Sequence, residues 1–301
     1  MNTIKLTMSQ ALTKWMTNQK IEQFNSKHEN AFVGVWGIFG HGNVAGLGEA
    51  LFDVKDKLPT FRGHNEQGMA HAAISFAKQK KRRQMMAVTS SIGPGATNFL
   101  TACALAYVNR LPVLFLPGDI FANRLPDPVL QQTENFADAT VSANDCFKPI
   151  SRFFDRITRP EQIIQSLPKA MSVLTDPADC GPVTLSLCQD VQSEAYNYPE
   201  TFFEPKVWKI RRQPCDFDEL DNVIKKINSS KNPLIIVGGG VKYSGAKTEL
   251  ENLINSTGIP FAVTQAGKSS LDETNSKFVG SIGVTGSIVA NELAKKSDLV
   301  I

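Results

Sequence analysis

Met85-Met86-Ala87-Val88-Thr89-Ser90-Ser91-Ile92-Gly93-Pro94-Gly95-Ala96-Thr97-Asn98, followed by Leu100, Ala104 and Ala106 and then by Pro112-Val113-Leu114-Phe115-Leu116, decides the fold. Two short apolar runs bracket a Gly/Pro turn and a helix of small apolar residues. A strand that is apolar at consecutive positions is buried on both faces, and two such strands joined through a helix run parallel. The same rhythm extends outward. Upstream, residues 32–39 read as a buried strand ended by the turn Gly40-His41-Gly42-Asn43. A helix follows from about Ala45, then a short strand near Thr60-Phe61 and a helix opening at Glu66. At the N-terminus, Thr7 is placed to cap an amphipathic helix running through Leu12, Trp15, Met16 and Ile21. Downstream, a helix over 160–174 and a strand over 183–187 complete the unit. The fold class expected is α/β with a doubly wound parallel sheet, whose ligands bind at the carboxyl ends of the strands. Three turns lie at those ends: 40–43, 63–66 and 90–98.

The first domain is expected to span 1–191. Residues 192–215 are rich in aromatics, Pro and charge without a clear period, and read as a linker wrapping over a surface. A second α/β unit, Rossmann-like, spans 216–301. It has a helix over 220–227, a strand over 233–237, the turn Gly238-Gly239-Gly240, and a helix through Ala246 and Leu253. Asp298-Leu299-Val300-Ile301 reads as a strand entered but not left, so the expectation is an incomplete domain and a fragment of a longer enzyme.

The 301 residues, 42% hydrophobic and 20% charged, suffice for a full core without disulfides or a structural metal. A net charge of +3 specifies no partner. Cys103, Cys146, Cys180, Cys188 and Cys215 form no C-x-x-C pair, which argues against a zinc site or a secreted disulfide framework and fits a reducing cytoplasm. No signal peptide precedes the first helix, and no run approaches the ~18 apolar residues of a membrane span. The chain is read as soluble and cytoplasmic.

Glu66 opens a helix whose following residues, Gly68, Met69, Ala70, Ala72, Ala73, Ile74 and Phe76, leave little polar face. Two readings stand. A first-turn carboxylate complements the helix dipole or caps the helix; alternatively, it exchanges a proton with a bound ligand. His64-Asn65-Glu66 matches the H-x-E of zinc deaminases, but the required P-C-x-x-C is absent. No metal-binding residues are assigned. His71 reads as a packed core histidine. Gly238-Gly239-Gly240 follows a strand as a dinucleotide fingerprint would, yet Tyr243 occupies the third glycine's position, so a tight turn is the reading. Lys78-Gln79-Lys80-Lys81-Arg82-Arg83 lies where the Glu66 helix ends and is read as a solvated helix end, not as a nucleic-acid surface.

Together, residues 62–73, 90–98 and Pro117-Gly118-Asp119 resemble the pyrimidine-binding domain of thiamine diphosphate enzymes of the acetohydroxyacid synthase type, and the unit from Asp216 resembles that superfamily's central domain. Within the superfamily, residues 40–43 and 65–73 are similar to the branch that hydrolyses a cyclic 1,2-diketone, trihydroxycyclohexane-1,2-dione, to 5-deoxyglucuronate in myo-inositol catabolism. Asp127-Pro128-Val129-Leu130-Gln131-Gln132, Thr175-Asp176-Pro177-Ala178-Asp179 and Gln265-Ala266-Gly267-Lys268 carry the same likeness. The resemblance implies that the Glu66 carboxyl group hydrogen-bonds N1′ of the cofactor's aminopyrimidine and favours its imino tautomer. It also implies that Pro94, Asn98 and His41 are cofactor-binding and that Gln131 is catalytic beside Glu66.

The resemblance further implies Mg²⁺ and a homodimer or homotetramer, with no membrane or nucleic-acid partner. The family's G-D-G motif for diphosphate and Mg²⁺ is missing, since Gly118-Asp119-Ile120 is the only Gly-Asp pair and lies in the other domain. The diphosphate-binding domain is therefore expected outside this chain, and the chain alone is expected to be inactive. The alternatives are an acetohydroxyacid synthase-like carboligase and a non-catalytic nucleotide-binding protein.

Overall fold

The structure, a computed structural model, describes residues 2–123, 125, 126, 129–132, 135 and 137–301. The chain forms two compact units, one ending at Arg211 and one spanning Arg212–Ile301. The first contains, in order, β1 (Thr3–Thr7), α1 (Met8–Thr17), β2 (Gln19–Glu22), β3 (His28–Asn30), β4 (Phe32–Gly37), α2 (Glu49–Asp53), β5 (Thr60–Arg62), α3 (Glu66–Gln79), β6 (Met85–Ser90) and α4 (Pro94–Thr97). There follow α5 (Leu100–Asn109), β7 (Leu114–Asp119), β8 (Phe153–Ile157), α6 (Ile163–Leu174), β9 (Val183–Cys188), β10 (Ala195–Pro199) and β11 (Lys206–Trp208).

Six strands build one sheet in the order β5-β4-β6-β7-β9-β8, with every pair parallel. β6, β7 and β9 are buried at every position, as consecutive apolar residues require. Met85, Ala87, Leu114, Leu116, Val183 and Leu185 pack with residues of α1, α2 and α6 on one face. Phe115 points the other way, against Phe99 and Phe147 at ring-centroid distances of 5.5 and 6.2 Å. Each fully buried Leu or Phe contributes roughly 1.5–3 kcal/mol, which is why both faces must be covered. From β4 the chain steps outward to β5, then crosses through α3 to β6 on β4's other side. That reversal opens a crevice at the carboxyl ends of β4 and β6, where doubly wound sheets bind ligands.

Thr7 caps α1 with a reciprocal box: its Oγ1 accepts from Gln10 N at 3.2 Å and its own N–H donates to Gln10 Oε1 at 3.1 Å. The helix stops at Thr17, however, and Ile21 lies in β2, which pairs with β3 and β11. An apolar residue at a helical interval is buried equally well by a strand. The segment expected as a linker is likewise largely part of the first unit. β10 pairs antiparallel with β1, and Tyr198 is fully buried with its hydroxyl donating to Pro160 O at 2.8 Å. The aromatic richness of this stretch is packing, with Phe202 stacked near both Trp15 and Tyr198.

Three further expectations are corrected. α3 buries one face only, through Met69, Ala70, Ala73, Ile74 and Ala77, so it is amphipathic although its outer side carries few charges. His71 is half-buried and 3.3 Å from Gln67 Nε2, not packed in the core. Beyond α3, Arg83 is buried rather than solvated. Its guanidinium donates to Glu22 O at 2.8 Å and lies 4.1 Å from the Phe24 ring centroid.

The second unit contains α7 (Phe217–Ser229), β12 (Pro233–Val237), α8 (Gly240–Ser244), α9 (Lys247–Thr257), β13 (Phe261–Val263), β14 (Phe278–Ser281), α10 (Ile288–Lys296) and β15 (Leu299–Val300). Its sheet, β14-β13-β12-β15, is parallel throughout. Asp298 ties the start of β15 to the start of β12. Its carboxylate accepts from the Ser230 hydroxyl, from Lys231 N at 2.7 Å and from Asn232 N at 2.9 Å. The Ser230 hydroxyl and these two N–H groups hold its pKa at about 2, below the ordinary 3.8.

A depressed carboxylate stabilises above its unfolded value and loses that effect as the pH falls through its folded value. Asp298→Asn is therefore expected to lower the melting temperature near pH 6, with the deficit against wild type shrinking between pH 3.8 and about 2. Circular-dichroism melts across that range test it; a deficit unchanged with pH would contradict the assignment. Among the described residues, no helix is long and apolar enough to cross a membrane.

Candidate active site

Glu66 is the first residue of α3, but it is not the cap. Asn65 holds that position, its Oδ1 accepting from Gly68 N at 2.9 Å. With the local N–H served by its neighbour, the half-buried Glu66 side chain turns out of the helix. Its Oε2 accepts from Asn98 Nδ2 at 2.7 Å, joining residues 32 positions apart. Among the described residues no other group hydrogen-bonds this carboxylate. A methyl group built on Gly95 would lie 3.4 Å from Glu66 Oε1, so the turn after β6 passes beside the second oxygen. Pro94 opens α4 and its carbonyl accepts from Asn98 N at 3.2 Å, which seats Asn98 at the end of that turn.

The turn after β4 meets the same region through Ser91. A methyl group on Gly40 would come within 2.7 Å of Ser91 Oγ, and Gly42 N donates to that oxygen at 3.5 Å. Asn43, buried, accepts from Gly40 N at 2.9 Å and donates to Ile38 O and Thr89 Oγ1, both at 3.0 Å. Thr89 Oγ1 in turn donates to Leu116 O at 2.8 Å. Gly42 reaches over the end of β6 to β7, where a methyl on Gly118 would sit 2.6 Å from Gly42 O. Only glycine fits at 118, because the obstacle is backbone. The turns after β4 and β6 and the end of β7 thus form one packed rim around the switch point.

The structure brings Glu66, Asn98 and Pro94 together. His41 sits exposed at the tip of the rim, and among the described residues no hydrogen bond links it to the Glu66–Asn98 pair. Gln131 is exposed with a left-handed backbone, φ 63°, and also lacks such a link. The inserted residue is its neighbour Gln132, whose Oε1 accepts from Phe121 N at 3.3 Å. Asp127 and Pro128 of the same motif lie outside the described residues.

A buried ion pair, absent from the sequence reading, anchors the rim's far side. Asp119 Oδ2 accepts from Arg156 Nε at 2.7 Å and from Ser186 Oγ at 2.6 Å, while Arg156 Nη2 lies 3.0 Å from Asp145 Oδ1. Burial lowers the Arg156 pKa, yet Asp119 and Asp145 together leave it above its ordinary value. Its only sequence signal is a polar residue closing an apolar strand.

Residues 29–139 match the family profile described as Thiamine pyrophosphate enzyme, N-terminal TPP binding domain, and residues 220–301 match Thiamine pyrophosphate enzyme, central domain. The chain carries the N-terminal and central domains of thiamine pyrophosphate enzymes. Its N-terminal TPP-binding match contains Glu66, Asn98, Pro94, His41 and Gln131. The chain is similar to a curated 3D-(3,5/4)-trihydroxycyclohexane-1,2-dione hydrolase of Geobacillus thermodenitrificans strain NG80-2, at 50% identity over all 301 residues, which cover 47% of that protein. It is 48% identical, over the same shares, to hydrolases of the same description from Bacillus cereus strain AH820 and Bacillus anthracis strain CDC 684 / NRRL 3495. The chain spans about half the length of these relatives.

The residues present fit one end of the thiamine pyrophosphate cofactor. A half-buried carboxylate with one oxygen fixed by Asn98, beside a turn kept narrow by Gly95, can exchange a proton with a heterocycle nitrogen presented at the crevice. Among the described residues, no group of three or more His, Cys, Asp or Glu side chains could hold a metal ion.

Proposed function

We propose that the full-length protein is a thiamine diphosphate-dependent hydrolase that opens trihydroxycyclohexane-1,2-dione to 5-deoxyglucuronate. The observation that carries the reading is the Glu66–Asn98 pair at the switch-point crevice, in a chain half identical over its whole length to hydrolases of that description. When bound, thiamine diphosphate supplies an electron sink for cleavage of the bond between the two carbonyl carbons. Glu66 holds and moves the proton at N1′ of the aminopyrimidine. Asn98 fixes the carboxylate's rotamer by binding one oxygen, and Pro94 fixes Asn98. The rim carrying His41 closes one side of the crevice, and Gln131 lies on the loop after β7. Mg²⁺ and the diphosphate are assigned to a part of the full-length protein beyond these two domains, with the active enzyme a homodimer or homotetramer.

Full-length protein supplied with thiamine diphosphate and Mg²⁺ is expected to convert the cyclic diketone to 5-deoxyglucuronate, and the 301-residue chain alone to show no turnover. Product analysis by mass spectrometry and NMR decides between the activities. Acetolactate formed from pyruvate, with the diketone untouched, would overturn the hydrolase reading in favour of a carboligase.

A further inference from the structure

Between the His41 turn and α2 the chain makes a π-helical turn, Val44–Gly48. In an α-helix the Leu47 N–H would bond Asn43 O, four residues back. Here Gly48 N takes that carbonyl at 2.8 Å, five residues back, so Leu47 N–H is left without an intrahelical partner. Leu47 is fully buried and water cannot serve it. The partner is Gln192, whose Oε1 accepts from Leu47 N at 3.2 Å. The same amide's Nε2 donates to Gly42 O at 2.5 Å and to Leu187 O at 3.2 Å. Gln192 is only 1% exposed, and it reaches the turn because residue 46 lacks a side chain: a methyl on Gly46 would lie 2.4 Å from Gln192 Cβ.

One amide therefore satisfies the N–H that the π register orphans and grips the carbonyl next to His41. We propose that Gln192 is the positioning residue of the site: it selects the π register over 44–48 and thereby holds the His41 turn against Ser91. Without it, a buried N–H loses its acceptor and two carbonyls lose a donor, and the nearest relief is the α register, in which Leu47 N recovers Asn43 O. That step changes the hydrogen bonding of the residue on which the 40–43 turn is hinged. The inference rests on the proposed function only where it assigns the His41 turn a part in turnover.

The test uses the full-length protein carrying Gln192→Leu. Its crystal structure is expected to show Leu47 N bonded to Asn43 O. Hydrogen exchange read by mass spectrometry is expected to quicken about tenfold over 41–48 while 85–90 is unchanged, since only a local opening is made cheaper. Turnover of the cyclic diketone is expected to fall by up to about 100-fold, the scale of a positioning group displaced by about 1 Å. If that variant does not fold, Gln192→Asn, which keeps the amide but shortens its reach, is expected to give the same local pattern more weakly. A π register that persists, or exchange that rises evenly across the first unit, overturns the proposal. A shifted register with wild-type turnover overturns its claim on the site. If wild-type protein does not act on the diketone, the proposed function fails, and the crystallographic and exchange results still decide the register.

Discussion

Glu66→Gln in the full-length enzyme is expected to reduce turnover roughly 1,000-fold, within the range seen when a positioned proton-transfer group is lost. Gln is nearly isosteric and its carbonyl oxygen can still accept from Asn98 Nδ2, so the contact that organises the turn survives. What disappears is the ability to take and return a proton. The side chain is half-buried and has one hydrogen-bond partner among the described residues, which the substitution keeps, so the stability change should stay below about 1 kcal/mol. Steady-state kinetics beside thermal melts separate the two quantities. Turnover within tenfold of wild type, or a collapse of the melt, would remove Glu66 from the role proposed for it.

The second large effect concerns stability. Asp119→Ala removes the partner of a largely buried Arg156, whose side chain is 18% exposed. Breaking a buried pair from one side costs about 3–5 kcal/mol, because the remaining charge stays out of water without its counter-ion. Arg156 keeps Asp145 and the Ser142 hydroxyl at 2.8 Å, which places the expected loss near the low end, about 3 kcal/mol. For a unit of this size that corresponds to roughly 6–12 °C in melting temperature. The double variant Asp119→Leu with Arg156→Leu should recover part of the loss, since neither charge is then stranded. A single variant that melts within about 2 °C of wild type would mean that the pair contributes little.

The sheet was legible because its strands are written locally. Residues 85–88 and 111–117 are apolar at every position, and only a strand covered on both sides explains that. β1 and β10 were missed for the opposite reason. Thr3 to Thr7 and Ala195 to Pro199 are short, partly polar segments that become strands by finding each other across nearly the whole first unit. The tyrosines and phenylalanines near 200 look alike whether they decorate a linker or fill a core, and only the position of Trp15 and Phe203 decides.

The same division runs through the candidate site. Glu66 could be singled out because a carboxylate opening a helix of small apolar residues is locally odd. Its contact with Asn98 joins two turns that no periodicity relates. Gln192 had no local signal at all: it follows an ordinary strand end, and its meaning lies in an N–H 145 positions earlier. In the sequence the π turn is indistinguishable from a plain helix start, since Val44 to Gly48 carries no residue that separates the two registers.

The contact between Gly42 and Gly118 sets the mechanics of the rim. It is main chain against main chain, so there is no rotamer to yield and no side chain to slide. Any displacement that begins at the end of β7 is transmitted to the His41 turn as if through a bolted joint, in parallel with the hydrogen bonds that run from Asn43 through Thr89 of β6 to Leu116. A rearrangement of the loop after β7 that spares this turn must therefore take its freedom from beyond Asp119, where the chain leaves the joint.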